Sequence, residues 1–360
     1  MGITQKEIAR ALGISLITVS RTLNNTGYVS PGMRKKITEY AQKQSYIPNR
    51  ASRSLVRKEP RIIGVFSSAT PEYFWTDIQK GTALAAGQIH YFNYRVHFYN
   101  VPDFDTRYFK RLLKREIKKG LSAAAFANIW LFDMEAIFNI ADTEGIPWIL
   151  YNVDAPGSKR LCYIGTDYPA GGRLAANFIG KALDIKTNGT VLVINIREDA
   201  DRLVWPDINA LRSQGFTDKM NECYPCVKCH VEHINSLPPL RDSQSQIRNI
   251  LTRYQGKADA VYFIPALNTP FLHELERLDY RNAITVLHDI EASSLQGLRS
   301  GLLTAAVYQD PVLQGYRSVK TLESILESKD RSRRQDIKIA HSLIFRENIE
   351  FLDNFSWLEK

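Results

Sequence analysis

The 360-residue sequence has few cysteines and no long apolar run. Its four cysteines fit a reducing compartment and are too sparse for the framework of a disulfide-stabilised secreted domain. No apolar stretch approaches the roughly 20 residues that span a bilayer. The N-terminal stretch "MGITQKEIARALG" carries charges where a signal peptide has an uninterrupted apolar core. We therefore expect a cytoplasmic protein that does not contact a membrane.

Motifs of catalytic and metal sites are absent or weak. The sequence has no glycine-rich phosphate loop, no "GxSxG" and no "HExxH", so we expect no enzyme, no catalytic residues and no cofactor. Cys223, Cys226 and Cys229 have metal-like spacing, and a closed zinc site needs four ligands in tetrahedral reach. The strand-like alternation of "VKCHVEHI" places Cys229 and His230 on opposite faces. This favours a helix-to-strand connection over a metal site.

Positive charge is concentrated at the start of the chain. Residues 1–60 contain 11 Lys and Arg against 3 Asp and Glu, a balance of +8. The other 300 residues contain 36 and 35, a balance of +1. Such a local excess attracts polyanions, with nucleic acid the first expectation and an anionic membrane the second. With 44% hydrophobic and 24% charged residues, the chain has the composition of a globular protein of two or three domains.

The first 45 residues have the start and stop signals of three short helices. Thr4 and Glu7 match a capping box, and Gly13 supplies the end of the first helix. Ser15 precedes a second helix that ends near residue 24. Ser30, followed by proline, begins a third helix that ends near residue 44. The pattern predicts a compact all-α module.

The second helix has more apolar residues than one buried stripe can hold. Val19 and Leu23 are expected in the core. The remaining side chains of the helix are expected to face DNA: Leu16, Ile17, Ser20 and Arg21. In a helix-turn-helix this helix lies in the major groove, where aliphatic groups suit the thymine methyl and arginine suits guanine. The alternative is a generic helical corner packed on another domain.

The stretch from residue 3 to residue 55 resembles the DNA-binding head of the lactose-repressor (LacI/GalR) family. The motifs that carry the resemblance are "IA..LGIS..TVSRTLN", "VS..MR.KI" and "YIPNR.A.SL", in the family's order and spacing. The resemblance implies specificity positions at Leu16, Ile17 and Arg21. It also implies contacts to base edges or phosphates from Thr4, Thr18, Ser20, Asn24, Tyr28 and Ser30.

A basic segment, residues 48–60, follows the head. Asn49 is positioned to cap a short helix that contains Arg50 and Leu55. A helix of about two turns is marginal in water, so we expect it to fold only on DNA. The resemblance implies that two such helices, one per subunit, enter the minor groove with Leu55 as an apolar wedge. A plain flexible linker is the alternative.

Residues 61–360 alternate between strand and helix patterns, as in doubly wound parallel sheets. We predict an all-α helix-turn-helix domain at 1–47, a hinge at 48–60, and an α/β effector-binding and dimerisation domain at 61–360. The last is expected to be periplasmic binding protein-like, with two lobes. Lobe 1 is predicted at about 61–155 plus 285–310, and lobe 2 at about 160–284 plus 311–345.

Ligands of such sheets bind beyond the carboxyl ends of the strands. Aromatic, amide, carboxylate and arginine side chains follow the predicted strands, which suits a polyhydroxylated ligand. This region resembles the effector domain of the same family and the periplasmic sugar-binding fold. The resemblance implies ligand contacts from Phe74, Trp75, Asn152, Arg212, Asp289 and Gln309. The chain departs from the family pattern at Pro265-Ala266, where Asn268 is a substitute, at Leu287-His288 and at Val153.

The sequence therefore predicts a transcriptional regulator, and specifically a repressor, whose operator affinity is controlled by a small ligand. Its expected partners are double-stranded operator DNA, a sugar or sugar derivative, and a second copy of the chain in a homodimer or tetramer. Two alternatives remain at this stage. One is a sugar-binding transport component, and the other is a regulator that responds to a nucleobase or another non-sugar metabolite.

Overall fold

A computed structural model describes most of the chain. The described residues are 3–23, 27–44, 59–127, 132–183, 189–197, 207–235, 242–328, 330 and 332–352. The predicted DNA contacts at Asn24, Asn49, Arg50 and Leu55 lie outside these residues. The chain divides into two compact units, Met1–Pro60 with Tyr91–Asn93, and Arg61–His90 with Tyr94–Lys360. No helix of the described part is both long and apolar enough to cross a membrane.

The first unit contains the three predicted helices. They are α1 (Gln5–Leu12), α2 (Leu16–Leu23) and α3 (Pro31–Lys43). The capping box forms as predicted, since Thr4 Oγ1 accepts a hydrogen bond from Glu7 N (3.3 Å) and Thr4 N donates one to Glu7 Oε2 (2.7 Å). Gly13 ends α1 in the left-handed conformation (φ +64°), and Ser15 Oγ caps α2 by accepting from Thr18 N at 3.1 Å. Ser30 precedes α3 without a side-chain cap.

A small core holds these helices together. Its fully buried members come from all three helices: Ile8, Ala9, Val19, Ile37 and Ala41. Leu23, Met33 and Tyr40 pack against them while partly exposed. The prediction of a core position is therefore confirmed for Val19, whereas Leu23, predicted there too, packs against the core while partly exposed.

The second unit alternates strand and helix as predicted. Its strands are β1 (Arg61–Ser68), β2 (Tyr94–Val101), β3 (Leu121–Ala127), β4 (Trp148–Tyr151), β5 (Tyr163–Thr166), β6 (Thr190–Arg197), β7 (Lys228–Asn235), β8 (Ala260–Phe263), β9 (Ile284–His288), β10 (Ala305–Tyr308), β11 (Ile337–Ile339) and β12 (Ser342–Ile344). Its helices are α4 (Glu72–Ile89), α5 (Thr106–Lys118), α6 (Met134–Thr143), α7 (Tyr168–Ala182), α8 (Ile208–Cys223), α9 (Ser243–Tyr254), α10 (Asn268–Arg277), α11 (Ala292–Ser300) and α12 (Pro311–Glu327).

The strands form two six-stranded sheets. Lobe 1 contains the sheet β11-β5-β4-β3-β1-β2, and lobe 2 contains the sheet β12-β10-β9-β8-β6-β7. Of the strand pairs described, β10–β12 is antiparallel and the others are parallel. In the register of lobe 1, Gly64 lies beside His97 on one side and Ala124 on the other. The predicted fold class, a helical head with two parallel-sheet lobes, is confirmed.

The predicted assignment of the later segments to lobes is wrong. Residues 285–310 belong to lobe 2, because β9 pairs with β8 and β10 pairs with β9. Helix α12 packs on α4 and the strands of lobe 1, so the crossover back comes after Tyr308. Strand β5 also joins lobe 1, beside β4. The alternation of strand and helix patterns in the sequence predicts how many strands there are. The pairing between strands decides to which sheet each strand belongs.

Each lobe has a helix pair in close backbone contact. A Cβ added to Gly81 of α4 would stand 1.8 Å from the Val312 carbonyl oxygen of α12. One added to Gly172 of α7 would stand 1.9 Å from the Arg212 carbonyl oxygen of α8. A residue with a side chain cannot occupy either position without moving a helix. The second contact fixes the position of the Arg212 backbone relative to α7 in lobe 2.

Candidate functional site

Helix α2 presents aliphatic side chains to solvent at its N-terminal end. Leu16 is 48% exposed and Ile17 is 62% exposed, while Val19 is fully buried. The buried residues of α2 are Val19 and Thr22, which lie on the opposite face of the helix. Leu16 and Ile17 are thus on the surface, where the sequence analysis placed them.

Polar side chains surround this pair of aliphatic residues. Arg21 and Tyr28 are exposed, with Tyr28 at 86%, and the Arg21 side chain runs alongside Gly27. Thr4 and Ser30 are exposed, and Thr18 and Ser20 are half-buried. Two of the hydroxyls already have partners, since Thr4 Oγ1 donates to Glu7 Oε2 (2.8 Å) and Thr18 Oγ1 bonds Ser15 Oγ (2.8 Å). The DNA contacts of all six residues stay predictions.

The cleft between the lobes has left-handed backbone at three of its strand ends. Asn152 follows β4 with φ +65°, Asp289 follows β9 with φ +64°, and Asp310 follows β10 with φ +48°. Such positions are costly for residues other than glycine, although Asn and Asp tolerate them best. They turn the chain sharply at the carboxyl ends of the strands, where ligands of parallel sheets bind.

Three of the predicted ligand residues form one buried group. Gln309 Nε2 donates to Asp289 Oδ1 at 2.7 Å, and Arg212 Nη2 lies 3.6 Å from Asp289 Oδ2. Arg212 is only 2% exposed, yet its Nε and Nη2 have no hydrogen-bond partner among the described residues. Gln309 Oε1 also lacks one there. Burial raises the pKa of Asp289, and Arg212 and Gln309 lower it in part.

Tyr168 connects this group to Asn152. The Arg212 guanidinium lies over the Tyr168 ring, 5.4 Å from its centre. The Tyr168 hydroxyl donates to the Asn152 carbonyl oxygen at 2.5 Å, and the Tyr163 hydroxyl donates to the same oxygen at 2.6 Å. Asn152 therefore anchors the ring beneath Arg212 through its backbone. Tyr168, which follows the first crossover between the lobes, is not among the residues predicted from the sequence.

Phe74 and Trp75 are buried and pack on each other edge to face. The Trp75 indole N–H donates to the Thr70 carbonyl oxygen at 2.9 Å, and its ring contacts Tyr151. Their role in binding stays a prediction. The preceding Tyr73 has a buried hydroxyl without a partner among the described residues. Burial raises the Tyr73 pKa, and the charges of Asp289 and Glu291 raise it further.

Two histidines border the same group. His288 Nε2 is hydrogen-bonded to the Tyr262 hydroxyl, whereas His288 Nδ1 and His341 Nε2 have no partner in the described part. The two rings meet edge to face, 6.3 Å between centres. Burial lowers the pKa of both, with a further contribution from Arg212, and the value for His341 falls to about 4. His341 lies on the last crossover and was missed, although a histidine interrupting "IKIAHSLI" is a visible signal.

Asn268, the expected substitute at the Pro265-Ala266 departure, has a structural contact. Its amide nitrogen donates to the His288 carbonyl oxygen (3.2 Å) and to Ser294 Oγ (3.3 Å). It therefore supports the end of β9 next to Asp289. Its oxygen has no partner among the residues described.

The cysteine cluster lies where α8 passes into β7. Cys223 is the last residue of α8, and Cys229 is the second residue of β7. The helix-to-strand interpretation of this stretch is confirmed. Among described residues, no three His, Cys, Asp or Glu side chains are grouped as metal ligands would be.

A cavity of about 570 Å³ lies between α4 of lobe 1 and α11 of lobe 2. Tyr73 lines it together with Thr76, Glu291 and Tyr308. The other members of the buried group do not line it. Tyr73 thus combines a place in the cavity lining with a buried hydroxyl that has no partner among the described residues.

Each of the two units contains a match to a known protein family. The family "Periplasmic binding protein domain" matches residues 63–330, which is more than half of the chain. The family "Bacterial regulatory proteins, lacI family" matches residues 4–49. The two matches follow the division of the chain into a helical head and a two-lobed domain.

Two relatives come from Bacillus subtilis (strain 168). The chain is 33% identical to Catabolite control protein B over 125 residues, which cover 35% of this chain and 40% of the relative. It is 35% identical to the Ribose operon repressor over 97 residues, which cover 27% and 29%. The chain thus matches less than half the length of either relative.

Solved structures share the fold of the two lobes. The arabinose binding protein AraP from Geobacillus stearothermophilus superposes with a TM-score of 0.68 at 20% identity, over 82% of this chain and 99% of that one. At this identity the likeness concerns the fold. The family matches show that the chain belongs to the family of the periplasmic binding protein domain, and that its residues 4–49 match the lacI family of bacterial regulatory proteins.

Proposed function

We propose that the protein is a sequence-specific DNA-binding transcriptional repressor whose operator affinity changes when a small ligand binds between its lobes. The observation that carries the proposal is the exposure of Leu16 and Ile17 beside Arg21 on α2. Exposed aliphatic side chains cost free energy in water, and the major groove offers them thymine methyl groups. The +8 charge of the first 60 residues supports the same partner, duplex DNA.

The proposed assembly is a homodimer, or a tetramer of two dimers, in the cytoplasm. A two-fold dimer would place one head on each half of a roughly palindromic operator. The relative named Ribose operon repressor supports the assignment as a repressor. The effector is proposed to be a sugar or a sugar derivative, because the buried group offers a guanidinium, a carboxylate and an amide to hydroxyl groups.

The position of the buried group supports coupling between ligand and DNA. Tyr168 follows the first crossover between the lobes, Gln309 lies on the second and His341 lies on the third. A ligand that contacts these residues changes the relative free energies of open and closed lobes. Such a coupling between sites is commonly worth about 1–3 kcal/mol.

The test of DNA recognition uses the full chain on a duplex selected from a random library. Arg21→Ala should relax the preference at one base pair by about 1–3 kcal/mol, measured by fluorescence anisotropy on operator and single-substitution duplexes. Lys35→Ala on α3 is the matched control, because Lys35 is an exposed cation of the same head. An equal loss on every sequence from Arg21→Ala would assign Arg21 to phosphate contact. Failure to select any duplex would refute the proposed function.

The test of effector response uses Asp289→Ala, with Asp279→Ala as a control on the surface of the same lobe. Asp289→Ala should abolish the change in operator affinity on adding ligand while operator affinity itself persists. An unchanged response would remove Asp289 from the site.

A sugar-binding transport component is the second candidate, since AraP has the same two-lobed fold. The lacI-family match at residues 4–49 favours the regulator.

A further inference from the structure

We propose that the effector is a polyhydroxy carboxylate, a sugar acid, whose carboxylate binds Arg212 and whose hydroxyls bind Asp289 and Gln309. The inference rests on the proposed function only in taking this buried group as the effector site. The proposed function names a sugar or a sugar derivative, and the inference adds that this ligand is negatively charged.

The guanidinium of Arg212 is the main argument. A buried arginine normally has its N–H groups paired, because an uncompensated charge in the interior is costly. Arg212 has one carboxylate at 3.6 Å, beyond hydrogen-bond distance, and two nitrogens without partners in the described part. Its flat face rests on the Tyr168 ring, so its edge is the part left for a ligand. A carboxylate matches that edge with two parallel hydrogen bonds.

The charge of the surroundings gives the second argument. The carboxylate nearest Arg212 belongs to Asp289, whose pKa is raised by burial, so its charged form is disfavoured. The neighbouring imidazoles of His288 and His341 are neutral at pH 7. The positive charge of Arg212 therefore has one carboxylate near it, at 3.6 Å, and no hydrogen bond to that carboxylate. One negative charge on the ligand balances it, whereas a phosphate dianion would bring two.

The remaining atoms suit hydroxyl groups. Gln309 Oε1 accepts hydrogen bonds, and the Tyr73 hydroxyl both donates and accepts; neither has a partner among the residues described. Asp289 has acceptor capacity beyond its bond from Gln309. Asp289 and Gln309 thus place hydroxyl-binding atoms beside the arginine, which is why the ligand is a sugar acid and not a plain fatty or aromatic acid.

Proton uptake should accompany binding. The charged and titratable groups around the two imidazoles are Arg212 on α8, Asp167 and Tyr168 at the start of α7, Tyr262 on β8 and Asp289 after β9. A ligand carboxylate offsets Arg212 and raises the pKa of both imidazoles and of Asp289. It stays ionised between pH 6 and 8, since carboxyl groups titrate near pH 4. At a pH where one of these groups titrates, the complex therefore holds more protons than the free protein, and affinity rises there as the pH falls.

The experiment is a thermal-shift screen of the full chain followed by calorimetry. The probes are D-gluconate, D-glucuronate and D-galacturonate, with D-glucose, D-galactose and glucose 6-phosphate as matched comparisons. We expect at least one acid to bind about tenfold or more tightly than its neutral parent, with net proton uptake measured in buffers of different ionisation enthalpy.

Variants separate the arginine from general charge effects. Arg212→Gln should remove the preference for the acid, while Arg253→Gln, which removes an exposed cation of lobe 2, should retain it. Where Arg212→Gln does not fold, the affinity of the unaltered protein for each acid relative to its neutral parent decides.

The opposing outcomes are distinct. Equal or tighter binding of D-glucose or D-galactose, binding of glucose 6-phosphate alone, or no binding of any acid would overturn the inference. In each of these cases operator selection by the head still tests the proposed function separately.

Discussion

Two buried arginines in the second unit have opposite surroundings. Arg160 in lobe 1 is 3% exposed and donates to two carboxylates, with bonds of 2.5 and 2.9 Å to Asp154 and 2.7 and 3.0 Å to Asp336. Arg212 in lobe 2 is equally buried and has one distant carboxylate. The difference indicates that Arg160 stabilises the fold by joining two segments of the chain, whereas the N–H groups of Arg212 are available to a ligand.

The partners of Arg160 explain its structural role. Asp154 lies in the loop after β4, and Asp336 immediately precedes β11, so the arginine joins segments far apart in sequence. Asp336 also accepts from Tyr163 N at 2.9 Å, next to β11. These contacts fix the place where the chain re-enters lobe 1. Arg212 makes no comparable bridge among the described residues.

The largest expected effect comes from Arg160→Met. The change leaves two carboxylates facing each other without their cation, which should lower the free energy of unfolding by about 3–5 kcal/mol. Urea denaturation followed by tryptophan fluorescence measures the loss. The control Arg253→Met breaks an exposed pair with Glu232 and should cost about 1 kcal/mol or less. Equal losses in the two variants would remove the structural role of Arg160.

A smaller effect is expected from Gly172→Ala, which acts on the backbone of Arg212. The added methyl meets the Arg212 carbonyl oxygen, so α7 and α8 must separate at a cost of about 1–3 kcal/mol. Gly87→Ala on α4 is the control, because an added Cβ there meets nothing within 4 Å. It should stabilise the helix by about 0.5–1 kcal/mol. A neutral Gly172→Ala would show that the two helices can move apart freely.

The smallest expected change in stability follows Arg212→Met. Asp289 keeps its bond from Gln309, and it loses no hydrogen bond, because Arg212 lies 3.6 Å from it. The free energy of unfolding should stay within about 1 kcal/mol of the unaltered protein, in the same urea experiment. A loss as large as that of Arg160→Met would mean that both arginines are structural and would break the comparison.

Strand positions in this fold were predictable, because strands are short runs rich in β-branched and aromatic residues. The pattern "YRVHFYNV" matches β2, and "RIIGVFSS" matches β1, residue for residue. The lobe of each late element was not predictable. Whether β9 and β10 join one sheet or the other depends on pairing across the fold, and the apolar face of α12 fits either lobe as far as its sequence shows.

The candidate site was predictable in part, for the residues that follow strands directly. Arg212, Asp289 and Gln309 form the contacts expected of neighbours. Tyr73, Tyr168 and His341 were not found, because each reaches the group through the geometry of a crossover or a helix start. In the head, the distinction between buried Val19 and exposed Ile17 followed from helical periodicity alone.

The segment from β11 to β12 forms an edge strand in each of the two sheets. Within eight residues the chain supplies an outer strand to the lobe 1 sheet and then to the lobe 2 sheet. Unpaired strand edges attract other chains. Proteolytic removal of the chain after α12 would therefore expose the edges of β5 and β10 together. The cleaved molecule would have two unpaired strand edges, one in each sheet, at which other chains could pair and aggregate.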